Sequence, residues 1–507
     1  MTSSGNRRHL PHGPRHDERF ELEIEALSAE GFGVAPMSVV VGPQREPIDY
    51  TFHVRKAVPG DRLVAQVERR EKRTIFAHID EMLEASRMRI EPRCRHFGRR
   101  TRYAEGCGGC TYQSLSYRHQ LATKERIVKN LVAERDLDPG LVLPVIGQDE
   151  PWYYRNKMEF SFGDTAGREF ALGLYPKGYH YEVLNLDECY LQSPFSSDLL
   201  PQIRLWAVRH GLEPYINKDD TGFLRTLSIR EGKRTGQRMV ELTTTDAETA
   251  LFDSSQRPAG EIADAFCDFL LEVGDAEITS VYWTQKRAVR GEPTRFFEHH
   301  LYGKPVLVEE MHLPDDRRLS FEIHPRAFFQ PNTLQAEVLY AQVLEKSGLR
   351  NGDRRASTAL DLYCGTGTIG LALSPYAERV VGIEREPEAV ENARDNARIN
   401  DIDNVEFLVG DVADMIDEDA SHPLGERIDV VVVDPPRAGL LPRALRHLVR
   451  IDPPRIVYVS CNPEALARDL AELTEAGYHI EVIQPVDMFP HTYHVENVVA
   501  LQKDGAS

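Results

Sequence analysis

The residues best suited to chemistry in this 507-residue sequence are a cysteine and two acids near its C-terminal end. Cys461 lies just past the apolar run Ile456–Val459, and Asp434 directly follows the run Ile428–Val433. Because open α/β sheets bind ligands at the carboxyl ends of their strands, both side chains are expected at one edge of a sheet. The last two predicted strands bring Glu496 towards the same edge. The alternative for the cysteine, a small buried hydrophobe, fits poorly beside serine, asparagine and proline.

A strand, a tight loop and a helix start are predicted over Ala359–Leu373. The loop C-G-T-G-T lets the backbone approach a ligand, and amides at a helix N-terminus attract carboxylates. The next predicted strand ends in Glu384, 19 residues after Gly365, where a carboxylate can accept both hydroxyls of a ribose. The loop lacks the third glycine of the dinucleotide pattern. We therefore place S-adenosylmethionine ahead of NAD, and a purely structural loop behind both.

A thiol beside such a loop has a specific use in methyl transfer. Methylation of an amine or oxygen needs no protein nucleophile, and amine-methylating sites usually carry an aromatic residue after the double proline, where this sequence has Arg437. A thiolate becomes necessary when the acceptor is an inert carbon such as C5 of uracil. Attack on C6 activates C5, and a base must then remove the C5 proton. Cys461 and Glu496 can supply the nucleophile and the base.

Three further features of the sequence have a possible role in binding. Asp411, at the end of a third predicted strand, can bond an adenine amino group or only cap the next helix. Gln330, in the segment F-F-Q-P-N, can face the cofactor, and Asn332 is a predicted N-cap. The tetrad Tyr154–Lys157 offers a stacking ring and hydrogen-bond donors for RNA, or merely borders a strand.

The length predicts two to four domains. Alternating strands and helices predict a C-terminal Rossmann-like, doubly wound parallel sheet, and the mixed pattern before it predicts an α+β domain. Short alternating runs near the N-terminus predict a small OB-like β-barrel. The predicted divisions are a disordered basic tail at 1–18, the barrel at 19–84, the α+β domain at 85–349 and the cofactor-binding domain at 350–507.

Seven cysteines in a chain without a secretory signal favour metal or catalytic use over disulfides. Cys94, Cys107 and Cys110 form a C-x12-C-x2-C pattern, and Cys189 is the nearest candidate for a fourth ligand. Four thiolates suit tetrahedral zinc or an iron–sulfur cluster, and spacing does not separate the two. Unrelated buried cysteines are the remaining interpretation.

The charge is unevenly distributed. The net charge is −19, but Arg69 to Lys129 contains 15 Lys and Arg against 7 Asp and Glu, a local excess of +8. These basic residues interleave with aromatic ones, which favours a nucleic-acid face over a merely solvated surface; the aromatic residues are Phe97, Tyr103, Tyr112 and Tyr117. The sequence shows neither a membrane span nor a signal peptide, so we expect a soluble, cytoplasmic protein.

The motifs together resemble the RNA uracil-5-methyltransferase family, most closely the branch that acts on large-subunit (23S) ribosomal RNA and carries a TRAM barrel and an iron–sulfur cluster. The resemblance covers nearly the whole chain after the tail and rests on G-F-G-V-A, P-G-D, C-G-G-C, Y-R-N-K, F-F-Q-P-N, L-D-L-Y-C-G-T-G-T-I-G, D-P-P-R-A-G, S-C-N-P and D-M-F-P-H-T-Y-H-V-E.

The resemblance implies an RNA partner, a monomer and a role for each matching residue. Cys461 is similar to the family nucleophile and Glu496 to the base. Cofactor-binding positions are implied at Gln330, Tyr363, Glu384 and Asp434, beside Gly365 and Asp411 from the sequence pattern. The implied ligands of a 4Fe-4S cluster are Cys94, Cys107, Cys110 and Cys189. Related enzymes with both barrel and cluster can act on tRNA, and a catalytically inactive RNA-binding or ribosome-assembly factor is the alternative from another class.

Overall fold

The computed structural model describes residues 9–10, 12–41, 46–98, 106–179, 181–250, 257–274, 277–349, 355–415 and 427–505. These residues fall into two compact units. The first comprises Met1–Ile127, Tyr175–Tyr179 and Phe489–Tyr493, and the second comprises the remainder. Half of the predicted tail (residues 1–8 and 11), and Tyr103 of the basic segment, lie outside the described residues. No helix in the described ranges is long and apolar enough to cross a membrane.

The first unit contains the predicted β-rich barrel. Its strands are β1 (His9–Leu10), β2 (Arg19–Glu23), β3 (Ala26–Leu27), β4 (Gly33–Val41), β5 (Glu46–Val54), β6 (Arg62–Glu71) and β7 (Thr74–Glu84). They form one sheet in the order β1-β4-β5-β7-β6-β2, with β3 beside β4. Alternate residues are buried, as β2 shows with its exposed-buried pattern, so one face forms a core around Phe20, Phe52 and Leu63.

Helix α1 (Tyr117–Ala133) leads along the chain to the α+β part of the second unit. The elements here are β8 (Lys157–Asp164), β9 (Phe170–Leu174), β10 (Leu184–Asn185), α2 (Pro194–Arg209), β11 (Leu224–Glu231), β12 (Arg238–Thr245), α3 (Ala259–Val273), β13 (Ser280–Arg287), β14 (Arg295–Gly303), β15 (Leu307–His312) and β16 (Arg318–Ile323). β8 to β14 form a seven-stranded sheet in the order β10-β9-β8-β11-β12-β13-β14, and β15 and β16 form a hairpin. The α+β prediction is confirmed.

The C-terminal part of the second unit is a doubly wound sheet. Its elements are α4 (Thr333–Lys346), β17 (Ala356–Leu362), α5 (Thr368–Leu373), β18 (Ala377–Glu384), α6 (Pro387–Ile399), β19 (Val405–Val409), α7 (Val412–Met415), β20 (Val430–Val433), α8 (Pro442–Ile451), β21 (Arg455–Ser460), α9 (Pro463–Glu475), β22 (Tyr478–Val486) and β23 (Glu496–Lys503). The strand order is β19-β18-β17-β20-β21-β23-β22. β20 is buried along its whole length, as expected for a central strand covered on both faces.

One feature of this sheet differs from the all-parallel prediction. β17 to β21 are parallel, but β23 runs antiparallel to both β21 and β22. The connection from β22 to β23 spans nine residues, 487–495, without a crossover helix, and parallel neighbours need a longer crossover. The chain therefore returns in the opposite direction, and the start of β23 meets the end of β21.

Candidate active site

The reversed strand brings the predicted nucleophile and base together. In the β21–β23 pairing Ser460 is opposite Asn497, the last pair of the ladder. Cys461 and Glu496 are the next residues beyond this pair, and the charge of Glu496 acts on the Cys461 thiol. Glu496 is 6% exposed, whereas Cys461 is half-buried. The two side chains predicted from separate motifs thus lie at one point of the sheet edge.

Burial and mutual repulsion hold this pair in its protonated form. Burial raises the pKa of Cys461 to about 11, with further contributions from the charges of Glu496 and Asp434, which the cation of Arg437 opposes. The pKa of Glu496 is raised to about 8 by burial and then by Asp434, again opposed by Arg437. With these pKa values the thiol and most of the carboxyl group are protonated at pH 7.

Asp434 follows β20 and lies beside this pair, since its charge raises the pKa of both groups. Its amide donates to Leu362 O at 3.2 Å, which fixes the strand end, and burial raises the pKa of its own carboxyl to about 7. The Asn462 side-chain amide donates to Arg437 O at 2.8 Å. The segments after β20 and β21 are thereby tied together, as the predicted common sheet edge requires.

Buried contacts from α9 fix the segment that carries Arg437. Asp469, 1% exposed, accepts from Leu440 N at 2.7 Å and from the Tyr458 hydroxyl at 2.6 Å. Arg468 pairs with Asp469 and donates to Ala438 O at 2.8 Å. The double-proline segment is therefore fixed at both ends, by the Asp434 amide on one side and by the contacts of Ala438 and Leu440 on the other. These contacts keep Asp434 and Arg437 in place.

The glycine loop after β17 has the conformation predicted for a ligand cradle. Gly365 has φ of +54°, and a Cβ at this position would meet nothing within 4 Å, so its outer side is open. Gly367 has φ of +82°, and a Cβ there would collide with the Phe407 ring at 2.5 Å. Tyr363, a non-glycine residue, has φ of +65°. Left-handed backbone at such a residue is stored strain, which concentrates at binding sites.

Two predicted acids border the loop. Glu384, at the end of β18, accepts from Gly365 N at 3.2 Å and from Arg385 N at 2.7 Å, so its carboxylate is fixed against the loop. Asp411 accepts from Ala413 N at 2.9 Å. The capping interpretation of Asp411 is thus observed, and its contact with an adenine stays a prediction.

An unpredicted acid completes the cradle. Asp361 in β17 is fully buried; one oxygen accepts from Gly370 N at 2.7 Å, and the other has no hydrogen-bond partner. Burial raises its pKa to about 7, and the charges of Asp434 and Glu384 add to this. An orphaned buried oxygen, a neighbouring acid and the open side of Gly365 fit a small ligand with a cationic group, as S-adenosylmethionine has in its sulfonium and ammonium.

Gln330 is connected to the buried acids Asp361 and Asp434 by Tyr340, another residue that the sequence analysis did not predict. The Tyr340 hydroxyl is hydrogen-bonded to the side chains of Gln330 and Thr368, and burial, then the charges of Asp434 and Asp361, raise its pKa. A single tyrosine inside an apolar helix pattern gives no sequence signal for this role. By contrast Asn332, the predicted N-cap, accepts from Gln335 N at 3.2 Å, so that prediction is confirmed.

The tetrad Tyr154–Lys157 and the aromatic residues of the basic segment differ from the RNA-facing interpretation. Tyr154 and Asn156 are each 5% exposed, and Asn156 bonds internally to Gln330 O at 2.7 Å. Phe97 and Tyr112 are 4% and 2% exposed, so they pack in the first unit and cannot stack on RNA as they lie. The composition of a segment does not reveal which of its rings are needed for a core.

Another group of rings is exposed on the barrel. Phe32, His53 and Phe76 are half-buried, with ring centroids 5.5–5.6 Å apart. The Arg69 guanidinium lies 3.7 Å from the Phe76 centroid, and the Lys177 ammonium lies 4.9 Å from that of Phe32. Rings with adjacent cations suit stacking on nucleobases. Alternate positions of β5 and β7 could have suggested His53 and Phe76, whereas Phe32 lies just before β4.

The cysteine prediction lacks a metal-binding geometry. Within the ranges that the structure describes, no group of three or more His, Cys, Asp or Glu is arranged to hold a metal ion. Cys107 and Cys110 are buried in the first unit, and Cys94 there is half-buried. Cys189 belongs to the second unit, where its amide donates to the Ser197 hydroxyl at 2.9 Å. The cluster therefore stays a prediction, and no chemical step is derived through it.

Known proteins with similar sequences identify the family of the chain. A model of the tRNA (Uracil-5-)-methyltransferase family matches residues 301–504. The chain is 37% identical over 449 residues to an uncharacterized RNA methyltransferase of Protochlamydia amoebophila, covering 88% of this chain and 98% of that protein. It is 34% identical over 497 residues to another from Clostridium tetani, covering 96% and 98%.

A solved structure extends the similarity to the fold. The tRNA (uracil-54, C5)-methyltransferase of Pyrococcus abyssi, in complex with S-adenosyl-L-homocysteine, matches with a TM-score of 0.69 and 28% identity, over 95% of this chain and 100% of that one. The fold predicted from the sequence and the expected methyl donor are confirmed. The chain therefore belongs to the RNA (uracil-5-)-methyltransferase family and is an S-adenosylmethionine-dependent RNA methyltransferase.

Proposed function

We propose that this enzyme methylates C5 of a uridine through a transient covalent bond between Cys461 and C6 of the base. The observation that carries the proposal is the register of β21 and β23. Their last pair is followed by Cys461 on the β21 side and preceded by Glu496 on the β23 side, and the charges of Glu496 and Asp434 both act on Cys461. A methyltransferase acting on a nitrogen or oxygen has no use for such a thiol–carboxyl pair.

The steps follow from the positions of the two groups. The Cys461 thiolate adds to C6, and the electron pair of the C5=C6 bond moves onto the enolate carbon C5. S-adenosylmethionine supplies the methyl group, which C5 accepts as the sulfur–methyl bond breaks. Glu496 then takes the C5 proton, the double bond re-forms, and the thiolate leaves. The uridine must be rotated out of its stack to reach this edge, which the exposed rings and cations of the protein would support.

The other site residues have proposed roles around the methyl donor. Glu384 accepts the ribose hydroxyls, and Asp411 the adenine amino group. Gly365 and Tyr363 form the wall of the cradle, while Gln330 and Asp434 border the reacting end. The fixed carboxylate of Glu384 and the open side of Gly365 support this arrangement.

Trapping with RNA that contains 5-fluorouracil tests the covalent step. Fluorine cannot leave C5 as a proton does, so the wild type should form a stable protein–RNA adduct that resists denaturing electrophoresis. Cys461→Ala should bind RNA but form no adduct and no product. Glu496→Gln should accumulate the adduct on ordinary uridine RNA, because the thiolate cannot leave until the proton does. An enzyme that methylates RNA with Cys461→Ala would refute the mechanism, and RNA binding without methylation or adduct would indicate an inactive RNA-binding factor.

For the substrate we propose 23S ribosomal RNA, on the resemblance to the ribosomal branch. A tRNA is the second candidate, because the matching family model and the Pyrococcus abyssi enzyme both carry that description. Methylation of separate unmodified tRNA and 23S rRNA transcripts, with mapping of 5-methyluridine by mass spectrometry, decides between them. Product in tRNA alone would overturn the ribosomal assignment.

We propose a 4Fe-4S cluster on Cys94, Cys107, Cys110 and Cys189, together with a TRAM-type assignment of the barrel, from the resemblance to the ribosomal branch of the family. One contact supports it: the Gly109 amide approaches the Cys107 sulfur at 3.4 Å, as amides do around thiolate ligands. Anaerobic purification should give a brown protein with about four irons per chain. A colourless protein with zinc or no metal would reject the cluster.

The remaining proposals concern the whole molecule. We propose that the domains follow the predicted divisions at 1–18, 19–84, 85–349 and 350–507, and that the enzyme is a cytoplasmic monomer. Limited proteolysis with mass mapping tests the divisions, and sedimentation velocity of the full chain tests the oligomeric state.

A further inference from the structure

A strongly exposed aromatic residue lies two positions before Gln330. Phe328 is 67% exposed, the highest value for a large apolar side chain among the residues described. Its neighbour Phe329 is 6% exposed and packs on Phe321, with ring centroids 5.5 Å apart. Full burial of a phenylalanine contributes about 1.5–3 kcal/mol, so the fold forgoes that stabilisation at position 328.

The exposure does not come from a loose loop. The segment between β16 and α4, residues 324–332, is fixed by buried side chains on both sides of Phe328. Arg230, 4% exposed, donates to Pro325 O at 3.1 Å and also to Ala327 O. Asn156 donates to Gln330 O at 2.7 Å. Carbonyl groups immediately before and two residues after the ring are therefore held by the sheet, and the ring is held out in solvent.

The segment exposes a row of three side chains. His324, Arg326 and Phe328 are exposed, whereas Pro325 and Phe329 are buried. Pro325 and Arg326 lie in a turn that is closed by a hydrogen bond from Ala327 N to His324 O at 3.1 Å. The turn and the residues after it thus present an imidazole, a guanidinium and an aromatic ring to solvent, and Gln330 follows two residues after the ring.

The guanidinium in this row is also set in place. Arg326 lies 3.8 Å above the centroid of Phe296 and 3.4 Å from a Glu298 oxygen, and its side chain is 41% exposed. An arginine stacked in this way keeps donors free for a phosphate oxygen. Beyond the row, the side chain of Gln330 is hydrogen-bonded to Tyr340, and Tyr340 lies near Asp434, the acid beside Cys461 and Glu496. The row is therefore continuous with the methyl-donor site.

We propose that the row His324, Arg326 and Phe328 binds the single-stranded RNA next to the target uridine, with the Phe328 ring stacking on a nucleobase and Arg326 contacting a phosphate. The inference rests on the proposed methylation of an RNA uridine and adds the surface that grips its neighbours. A ring and a cation on the same exposed segment match a base and its phosphate backbone, whereas an apolar protein partner would leave Arg326 and His324 without a counterpart.

The experiment compares Phe328→Leu, Phe328→Trp and Arg326→Gln with the wild type, on an unmodified transcript that the wild type methylates. Base stacking worth about 1–3 kcal/mol converts to an increase of about 5- to 150-fold in the KM for RNA with Phe328→Leu. The kcat at saturating RNA and the KM for S-adenosylmethionine should stay within about twofold. Phe328→Trp should keep the wild-type KM, and its added fluorescence should be quenched by a ten-residue oligouridylate.

Leu205→Ala, which trims a side chain that is 49% exposed on α2, is the matched control and should behave as the wild type. A wild-type KM for RNA in Phe328→Leu would overturn the inference while leaving the methylation reaction intact. An equal rise in the KM for S-adenosylmethionine would also overturn it, since that indicates displacement of Gln330. A changed sedimentation coefficient with unchanged RNA kinetics would mean that the row contacts protein. Failure of the wild type to methylate any RNA would instead reject the proposed function.

Discussion

The rate at which Cys461 is alkylated at different pH values tests the electrostatics of the active site. Only a thiolate reacts with iodoacetamide. The pKa of the thiol is raised to about 11 with its acidic neighbours ionised, and that of Glu496 to about 8. The two groups titrate as a coupled pair, so the charge state of Glu496 decides how readily Cys461 ionises.

An order of magnitude for the coupling follows from Coulomb's law. Two unit charges about 5 Å apart repel by about 3 kcal/mol at an effective dielectric constant of 20, or about 2 pK units. With Glu496 protonated, the thiol should therefore titrate near pH 9, and about 1% of it is thiolate at pH 7. As Glu496 ionises above pH 8 it opposes the second ionisation. The thiolate fraction should then rise only about threefold between pH 8 and pH 10.

Glu496→Gln removes this opposition. At pH 7 the variant should be alkylated at almost the wild-type rate, because the wild-type carboxyl is mostly protonated there. At pH 9.5 the variant should react about 5- to 10-fold faster, because its thiol ionises as a single group near pH 9. The rate is measured by peptide mapping with mass spectrometry, which separates Cys461 from the six other cysteines.

Two controls isolate the effect. Cys461→Ala identifies the peptide signal, and Glu464→Gln removes an exposed carboxylate three residues along the chain, which solvent screens; it should change the rate less than twofold. Equal rates for wild type and Glu496→Gln from pH 7 to pH 10 would refute the coupling. A wild-type thiol that titrates as a single group below pH 8 would refute the raised pKa itself.

Three further outcomes are expected. Burial raises the pKa of Asp434 to about 7, and the cationic methyl donor should pair with the ionised carboxylate. Calorimetry should therefore show that S-adenosylmethionine binds about 5- to 10-fold more tightly at pH 8 than at pH 6. Asp434→Asn should remove this pH dependence, and a wild-type affinity that does not change with pH would contradict the assignment. Tyr340→Phe loses the hydroxyl that is bonded to Gln330 and Thr368; it should bind S-adenosylmethionine about 5- to 30-fold more weakly with unchanged RNA affinity and melting temperature, whereas a drop in all three would indicate a merely structural role. Asp469→Ala leaves the Leu440 amide and the Tyr458 hydroxyl without their buried acceptor, whereas Arg468 is partly exposed to water. Urea unfolding should show a loss of about 1–3 kcal/mol, and a loss below about 0.5 kcal/mol would show that α9 does not anchor the segment.

Sequence reasoning succeeded where a local pattern has one structural solution. The apolar run at Val430–Val433 could only be a strand buried on both faces, and the acid after it had to lie at the sheet edge. Asn332 before a helical pattern predicted a cap, and the cap is present. Glycines at positions that need positive φ, such as Gly367, likewise predicted the loop.

The rest depended on long-range geometry. The direction of β23 is set by a nine-residue connection and by pairing with β21 and β22, which no local pattern encodes. Burial of Phe97 and Tyr112 depends on which faces the first unit must cover, so composition alone suggested the wrong role. Tyr340 became part of the site only because α4 packs against the loop that contains Thr368.

The pattern of raised pKa values explains how one site can hold a base that is protonated at rest. Burial raises the pKa values of three acids, Asp361, Asp434 and Glu496; the charge of Asp434 raises those of the other two further, and Arg437 offsets it only in part at Glu496. Ionising all three without a ligand would leave excess negative charge in a poorly solvated edge. A cation bound there lowers the pKa of each acid, because opposite charge favours the ionised form. In the proposed mechanism, the sulfonium of the methyl donor would carry that charge, so Glu496 would gain its basic form when the methyl group to be transferred is present. After methyl transfer the sulfur is neutral and the pKa of Glu496 would rise again, which would favour transfer of the C5 proton to Glu496.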